Sequence, residues 1–410
     1  MTLHIVLQKY PLLLLLMVLL LPGPAVAQEQ TEDDYAVSEI SQEAKLSVLT
    51  VGPGHPMYTM FGHTAIRLQD KKEGIDVVYN YGTFDFETRF FALKFIYGNL
   101  NYFLSKSSFE AFSAGNRALG RSIREQILSL SPGEIQEIVS AMEKELTSDD
   151  RFYRYEFFRN NCTTKVRDLL ARQQLFMPDG VEPSSPDTPS FRQLLYPYLK
   201  LRPWVGFGVN LLLGAPADEA ADEWEQTYLP YMFFQALAET GLPNANEPLI
   251  SETRLLVPAA EKTSPASWLS PITVFWALFF LIAVVTFMEA MNKMDSTWVD
   301  RILFGAVGLM GLVLLPVSFL SLHEPLQPNL NLLWAVPTHL IITVGVKRWQ
   351  QKPWFGYYLW AALALYAGLL AGWFWIPQRL PAAIIPLLSA LVIRLLFRLI
   401  HSRKISFSRI

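Results

Sequence analysis

Apolar residues along the chain change their pattern twice, and each pattern predicts a different kind of structure. A short apolar run over 12–21 follows Lys9 and precedes Ala25-Val26-Ala27, which has the small residues of a cleavage site. This pattern predicts an export signal peptide over 1–27 that is cleaved before Gln28. The alternative is an uncleaved anchor helix, although the run is shorter than the ~20 residues of a membrane span. Either segment delivers the residues that follow it outside the cytoplasm.

Residues 28–266 mix strand and helix patterns with clusters of Pro, Gly and Asp, and predict one globular domain of about 240 residues. Alternate positions over 63–68 fall into two sets, His63, Ala65 and Arg67 against Thr64, Ile66 and Leu68, which predicts a short strand. The next strand candidate is 75–81. After Asn161, Val166, Leu169 and Leu170 fall on one helical face. Because asparagine is a preferred N-cap, we expect a helix to begin directly after it.

Long apolar runs follow and predict a bundle of five transmembrane helices over 267–400. The runs lie near 268–288, 302–320, 330–346, 357–376 and 382–399. Lys and Arg concentrate after the first and third runs and in the tail 401–410, whereas the two opposite loops hold only Arg379. Since basic loops stay in the cytoplasm, this pattern predicts that the 28–266 domain is periplasmic and the basic tail cytoplasmic.

Four features of the apolar pattern need an explanation of their own. Arg394 lies one turn from the cytoplasmic end of its run and is expected to snorkel to the interface. His339 lies deeper, where a proton-relay or substrate role competes with a hydrogen-bonded packing role. The apolar segment 201–214 is too short to span and either dips into the membrane interface or fills the core. Ten aromatic residues within 79–103 either fill the core or line a groove for acyl chains.

Composition and charge then exclude several classes of protein. The 410 residues are 51% apolar and 17% charged, compared with roughly 25% charged in an ordinary soluble domain. Residues 28–266 carry 22 Lys+Arg and 33 Asp+Glu, a net charge of −11, so this domain lacks the basic surface that binds nucleic acid. The single cysteine, Cys162, excludes an intramolecular disulfide.

Cys162 is the main candidate for chemistry. At a helix start, free N–H groups and the positive end of the helix dipole favour thiolate over thiol. The alternative is a small buried hydrophobic residue, since unpaired cysteines are often buried. The two preceding asparagines and the polar first turn favour the reactive thiol. The exported domain has only His55, His63 and Cys162 as histidine or cysteine ligands and no zinc-protease, Gly-x-Ser-x-Gly or phosphate-loop motif, so no metal or other cofactor is expected. A carboxylate cluster is the alternative that the sequence leaves open.

His63, on the first predicted strand, is the candidate general base for this thiol. Asn80, on the next strand, is the candidate that holds the second ring nitrogen. The alternative for Asn80 is a turn residue before Gly82. His55 lies between two prolines and is interpreted as loop structure or a substrate contact, with the role of base as a remaining alternative.

Three motifs occur in a fixed order along the exported domain. They are Pro53-Gly54 followed by Phe61-Gly62-His63-Thr64-Ala65, then Tyr79-Asn80-Tyr81-Gly82-Thr83-Phe84, then Asn160-Asn161-Cys162-Thr163-Thr164. Together with the signal peptide, the Pro203-Trp204 segment and the membrane bundle, this set resembles the Lnb family of bacterial lipoprotein N-acyltransferases. The resemblance implies an α+β fold for 28–266, similar to the circularly permuted papain-like domains of the NlpC-type and lecithin:retinol acyltransferase groups. It also implies Cys162 as nucleophile and His63 as base, while Asn80 as orienting group is our own addition.

The function that this resemblance implies is acyl transfer at the inner membrane. A phospholipid would donate a fatty acyl chain to Cys162, and the thioester would pass it to the N-terminal amine of a diacylglyceryl lipoprotein. Two other classes stay open. One is a Cys/His hydrolase of peptidoglycan peptides or lipid esters, and the other is a non-enzymatic membrane scaffold in which Cys162 is merely buried.

Overall fold

The computed structural model describes residues 37, 39–85, 88–177, 187–242, 247–260 and 269–407, without the side chains of 91, 92 and 401–407. The predicted signal peptide and its cleavage site lie outside the described residues. The strands are β1 Lys45–Val51, β2 His63–Asp70, β3 Ile75–Phe84, β4 Asn101–Ser108, β5 Ile123–Leu128, β6 Phe152–Arg154 and β7 Ile250–Val257.

Helices surround this sheet and form the C-terminal region. In the first 260 residues they are α1 Phe91–Tyr97, α2 Phe109–Ala118, α3 Pro132–Leu146, α4 Cys162–Arg172, α5 Phe191–Leu199, α6 Pro203–Leu212, α7 Glu223–Gln226 and α8 Pro230–Glu239. Beyond residue 269 they are α9 Pro271–Ala290, α10 Thr297–Leu320, α11 Leu340–Gly345, α12 Pro353–Ala371 and α13 Ile384–Phe407.

The strands of the described chain form one antiparallel sheet in the order β6-β4-β3-β2-β1-β5-β7. Both predicted strands are present as β2 and β3, and each is longer than predicted. His63 pairs with Val51, which fixes it as the first residue of β2. Since β2 and β3 are antiparallel, the end of β3 lies beside the start of β2. The candidate histidine and asparagine therefore share one end of the sheet.

The sheet has a separate hydrophobic core on each face. Helices α3, α4 and α8 cover one face through residues that include Ile138, Val166 and Phe233. Helix α2 covers the other face through Phe112. The predicted apolar face of α4 is confirmed, because all three of its predicted residues are buried. Packing of α4 on the sheet brings its first residue, Cys162, toward the end where β2 begins.

The C-terminal region is helical, but its third apolar run is not one helix. Among the described residues, α9, α10 and α12 are long and apolar enough to cross a membrane. The expectation of a continuous helix over 330–346 is wrong, since the chain forms 3₁₀ turns at Leu330–Leu333 and Pro337–His339 before α11. Pro337 lacks the N–H that a continuing helix needs. A side chain of α12 binds one of the carbonyls at the interruption, since the Tyr366 hydroxyl donates to the Trp334 carbonyl at 3.0 Å.

The expectation that Arg394 snorkels is also wrong. Arg394 on α13 is fully buried, with Nε 2.7 Å from Asp300 Oδ1 on α10 and Nη1 3.1 Å from Glu289 Oε2 on α9. Arg398 contacts the same two carboxylates. Buried charges are tolerated when they are paired and hydrogen-bonded. The two acids and two arginines therefore connect three helices, and Arg394 does not need to reach solvent.

The apolar segment 201–214 contains α6, which joins the two regions. Leu211 packs into the core of the membrane region. The Asn329 side-chain amide donates to the carbonyls of Leu211 and Leu212 at 2.8 and 2.9 Å. At the other end of α6, Trp204 Nε1 donates to the Leu269 carbonyl at 2.7 Å, just before α9. The segment therefore packs against the membrane helices and fixes the sheet domain to their outer end.

Candidate active site

Cys162 is the first residue of α4, as the sequence predicts, and Asn161 is its N-cap. The Asn161 Oδ1 accepts from the backbone N–H groups of Thr163 and Thr164 at 2.8 and 3.0 Å. Its amide nitrogen donates to the carbonyls of Phe157 and Tyr228 at 2.8 and 3.1 Å. The residue before the sulfur thus caps the helix and also ties it to two other parts of the domain.

His63 enters the site because of the glycine before it. Gly62 has a φ of +92°, and a Cβ at this position would lie 2.8 Å from the Val51 carbonyl oxygen. Only glycine adopts this conformation and this close approach without strain. At the start of β2, His63 Nε2 lies 3.1 Å from Asn80 Oδ1. Asn80 is a buried residue within β3 and not a turn residue, so the alternative reading of Asn80 is wrong.

The Cys162 thiol is half-buried, and its neighbours favour the thiolate. Burial raises the pKa of the thiol, but the charge of His63 and a hydrogen bond to the same ring act in the opposite direction. The Thr64 backbone N–H and the Thr163 hydroxyl add further hydrogen bonds to the sulfur. Together these contacts lower the pKa of Cys162 from its ordinary value near 9 to about 7. A thiol with this pKa is substantially ionised at neutral pH, which is what a nucleophile requires.

Gly82 lies beside Cys162 in a backbone conformation that favours glycine. Its φ is +89°, and a Cβ there would make only ordinary contacts, 3.4 Å from Cys162 Cβ and 3.8 Å from the Tyr153 hydroxyl. Three phenols, those of Tyr102, Tyr153 and Tyr155, are close enough that burial and then the Cys162 charge raise their pKa values. These phenols stay protonated at neutral pH and surround the thiol with apolar rings and hydroxyl groups.

Sequence reasoning missed several of these contributors. The Thr64 and Thr163 hydroxyls lie 3.1 Å apart and link β2 to the first turn of α4. Arg121 is buried in the loop before β5, where burial lowers its pKa to about 10 while the Cys162 and Tyr58 charges raise it. The Thr-Thr pair directly after the cysteine is visible in the sequence and could have indicated a polar contact at the helix start. The approach of Arg121 depends on tertiary packing and had no local signal.

Two other histidines lie apart from this pairing. His55 is exposed, and its backbone carbonyl accepts a hydrogen bond from Arg202. His339 is buried in the membrane region, where its Nδ1 lies 2.7 Å from the Tyr358 hydroxyl and its Nε2 contacts the Tyr366 hydroxyl. Both nitrogens of this ring are thus occupied by phenols that hold the interrupted third run.

Comparisons with known proteins agree with this division into two regions. A family model described as the Lnb N-terminal periplasmic domain matches residues 31–185, and one described as the Lnb transmembrane domain matches residues 262–405. No curated protein and no solved structure matches the chain. The protein is a multi-pass inner membrane protein with a periplasmic N-terminal domain. Since the two matches together span most of the sequence in the expected order, the chain belongs to the Lnb family and has the architecture of the Lnb-type lipoprotein N-acyltransferases.

Proposed function

We propose that this protein moves a fatty acyl chain from a phospholipid, through a thioester on Cys162, to the N-terminal amine of a diacylglyceryl lipoprotein. The observation that carries the proposal is the pairing of Cys162, with a pKa of about 7, and His63 in a periplasmic domain fixed to membrane helices. A soluble substrate would not need this attachment, whereas both proposed substrates are held in the bilayer.

In the first half-reaction His63 takes the thiol proton. Asn80 occupies Nε2, so Nδ1 is the ring nitrogen that remains for this transfer. The thiolate attacks the ester carbonyl carbon of the phospholipid and forms a tetrahedral oxyanion. The cap of α4 uses the N–H groups of Thr163 and Thr164, which leaves the Cys162 N–H at the helix start as a donor for this oxyanion. Collapse breaks the carbon–oxygen bond, His63 returns its proton to the leaving glycerol oxygen, and lysophospholipid departs.

In the second half-reaction the α-amine of the lipoprotein attacks the thioester carbonyl. His63 accepts a proton from the attacking nitrogen, an amide bond forms, and the carbon–sulfur bond breaks. The proton then returns to the sulfur, which regenerates the thiol. Neither half-reaction needs an oxidant, a reductant or a metal in this scheme. The protein side chains involved are those of Cys162, His63 and Asn80.

Three structural assignments belong to the same proposal. The exported domain is a permuted papain-like domain, supported by a histidine on the sheet that precedes a cysteine at a helix start. The chain divides into a signal peptide over 1–27, a catalytic domain over 28–266, five transmembrane passes over 267–400 and a basic tail over 401–410. The interrupted run 330–346 makes the third pass.

The test uses full-length protein in vesicles that contain phospholipid with isotopically labelled acyl chains. Intact-mass analysis is expected to detect one acyl adduct on wild-type protein, labile to hydroxylamine, and none on Cys162→Ala. Addition of a diacylglyceryl lipopeptide should move the label to its N-terminal amine. Label that appears only as free fatty acid would favour the hydrolase class instead. A Cys162→Ala protein that still acylates the lipopeptide would exclude the mechanism.

A further inference from the structure

We propose that α1 and the turn at Met57-Tyr58 form a lipid platform that inserts into the outer leaflet and passes a phospholipid acyl chain to Cys162. The platform is defined here by its exposed apolar side chains, which are those of Met57, Tyr58, Phe90, Leu93, Phe95 and Tyr97. Insertion of the platform stands on its own observations. Its role in delivering the acyl chain rests on the proposed function.

The first observation is the exposure of large apolar side chains on a short helix. Leu93 is 68% exposed and Phe90, which precedes the helix, is 62% exposed. Leaving such side chains in water is unfavourable by about 25 cal/mol per Å² of apolar area. Concentrated exposure of this kind marks a binding surface for a protein or a membrane. Which of the two it is depends on where the helix lies.

The second observation places α1 at the outer end of a transmembrane helix. The Leu322 N–H donates to the Tyr97 carbonyl at 2.7 Å, and the Ser321 hydroxyl donates to the Ile96 carbonyl at 2.8 Å. Helix α10 ends at Leu320, directly before these donors. Phe319 in its last turn is 69% exposed, as a lipid-facing residue would be. The bonds therefore hold α1 at the level where the hydrocarbon of the outer leaflet ends.

The Met57-Tyr58 turn is anchored to the same side of the membrane by a separate route. Arg202 donates to the carbonyls of Gly54 and His55 from the residue before α6. The Trp204 ring of α6 contacts the Phe275 ring of α9 with centroids 6.1 Å apart. Because α9 is a transmembrane helix, this contact fixes the start of α6 and the loop bound to it near the outer interface.

Basic side chains lie beside the exposed apolar ones. Arg89 directly precedes Phe90 and Lys94 lies within α1, although Asp85 is also exposed four residues before Arg89 and the domain as a whole has a net charge of −11. The Arg89 guanidinium lies 4.9 Å from the centre of the Phe90 ring. Basic residues beside apolar ones on a short helix are typical of elements that lie in the membrane interface, where they meet phosphate groups.

A series of ring contacts connects the platform to the thiol. Tyr58 lies edge-on to Phe84 with centroids 6.3 Å apart, and Phe84 contacts Tyr102 at 5.2 Å. Tyr102 in turn is close enough to Cys162 to respond to its charge. These rings belong to the aromatic-rich stretch of the sequence and to the turn beside it. They form a continuous series of apolar contacts from the platform to the site, which the acyl chain would follow to the sulfur.

Depth measurement tests insertion directly, and the chain is well suited to it because Cys162 is its only cysteine. In full-length Cys162→Ser protein, a nitroxide is attached at Leu93→Cys, at Phe280→Cys within α9, or at Ser140→Cys on α3, which is exposed. The vesicles contain phosphatidylethanolamine and phosphatidylglycerol. The label at 93 is expected to collide with oxygen more often than with a water-soluble nickel chelate. The label at 280 should behave in the same way, and the label at 140 should collide mainly with the chelate. A label at 93 as accessible to nickel as the one at 140 would overturn the proposal.

Activity tests delivery separately. Acyl adduct formation on Cys162 is measured with phospholipid vesicles and with dihexanoylphosphatidylethanolamine, which dissolves as a monomer. Leu93→Glu is expected to lower the ratio of vesicle rate to monomer rate by about tenfold or more, whereas Ser140→Glu leaves that ratio unchanged. An unchanged ratio in Leu93→Glu overturns the delivery role. If wild-type protein forms no adduct with either lipid, the proposed function fails, and the nitroxide result still decides whether the platform inserts.

Discussion

The proton affinity of Cys162 results from neighbours that act in opposite directions. Burial alone would keep the thiol protonated at neutral pH, and the His63 ring reverses this. With a pKa of about 7, half of the thiol is ionised at pH 7, and the thiolate fraction decreases as the pH falls below that value. The reactivity of the sulfur is therefore a property of the pair and depends on the position of the ring.

Replacing His63 with glutamine should expose the effect of burial. The charge that lowers the thiol pKa is lost while the burial stays, so the pKa should return to about 9 or above. At pH 7 the thiolate fraction, and with it the rate of alkylation by iodoacetamide, should drop by about fiftyfold or more. The rate is measured from pH 5 to 10 on the sole cysteine, with urea-unfolded protein as the reference. An unchanged pH profile in His63→Gln would show that the ring does not activate the sulfur.

Asn80 is expected to act on the rate through the orientation of His63. Asn80→Ala removes the oxygen that lies 3.1 Å from Nε2, so kcat for adduct formation should decrease by about 10- to 100-fold with little change in KM. Asn80→Asp is the matched control, since it keeps an oxygen acceptor at the same place and should retain more activity than alanine. A rise in KM with kcat intact would assign Asn80 to substrate binding instead.

At this scale the sequence identified the candidate residues, but it did not identify the backbone positions that bring them together. Cys162, His63 and Asn80 stand out because a helix start and two strands are local patterns. The position of Gly82 beside the cysteine was not predicted, because a glycine shortly after Asn80 has the pattern of a turn. This position results from the bulge in β3 between Asn80 and Thr83 and from the packing of α4, and neither has a local sequence signal.

At the level of elements, the start of α4 is the junction on which the site depends. Asn161 caps the helix with its oxygen and holds two distant carbonyls with its nitrogen, so one side chain fixes the sulfur relative to the sheet. Helix caps of this type contribute about 1 kcal/mol. Because its amide also binds two distant carbonyls, Asn161 fixes the position of the sulfur in addition to stabilising the helix.

Two substitutions at Asn161 separate these contributions. Asn161→Ser keeps a capping oxygen and loses the bonds to Phe157 and Tyr228, whereas Asn161→Ala loses both. Alanine should lower the free energy of unfolding by about 1 kcal/mol more than serine does. Chemical denaturation of the detergent-solubilised protein measures the difference. Equal stability of the two variants would mean that the cap oxygen contributes nothing measurable to the start of α4.

Sequence patterns gave poor predictions for the elements whose conformation depends on contacts with distant residues. The run 330–346 is apolar enough to suggest a helix, but Pro337 and the binding of the Trp334 carbonyl by Tyr366 produce 3₁₀ turns. The segment 201–214 left two readings open because nothing local shows that Asn329 binds its last carbonyls. In both cases a residue far away in the sequence satisfies backbone groups that a continuous helix would satisfy internally.

For the whole molecule, the buried charge cluster holds the cytoplasmic half of the bundle. Arg394→Met would leave Asp300 and Glu289 with only Arg398 as counter-charge, so stability should fall by about 3 kcal/mol. Arg379→Met is the matched control, because the Arg379 side chain is exposed. Thermal unfolding in detergent, followed by circular dichroism, compares the two. Equal melting temperatures would show that the cluster is dispensable for the bundle.

The interrupted run determines how many times the chain crosses the membrane. At its start, Asn331 binds carbonyls at the end of α6, on the periplasmic side. At its end, Lys347 contacts Asp295 at 2.6 Å, in the loop between α9 and α10. The 17 residues of 330–346 rise about 1.5 Å each in α-helix and about 2.0 Å each in 3₁₀ turns, so they can cover roughly 30 Å of hydrocarbon. The turns therefore make the run long enough for the third crossing that we propose.

Cysteine labelling in intact cells tests this topology. In the Cys162→Ser chain, Gln351→Cys should resist a membrane-impermeant maleimide until the membrane is permeabilised, because a third crossing places it in the cytoplasm. Lys293→Cys should behave in the same way, and Glu324→Cys should react in intact cells. All three positions are exposed, so burial does not limit the reagent. If Gln351→Cys reacts in intact cells while Lys293→Cys does not, the run re-enters the periplasm, and the chain cannot have the five passes proposed for it.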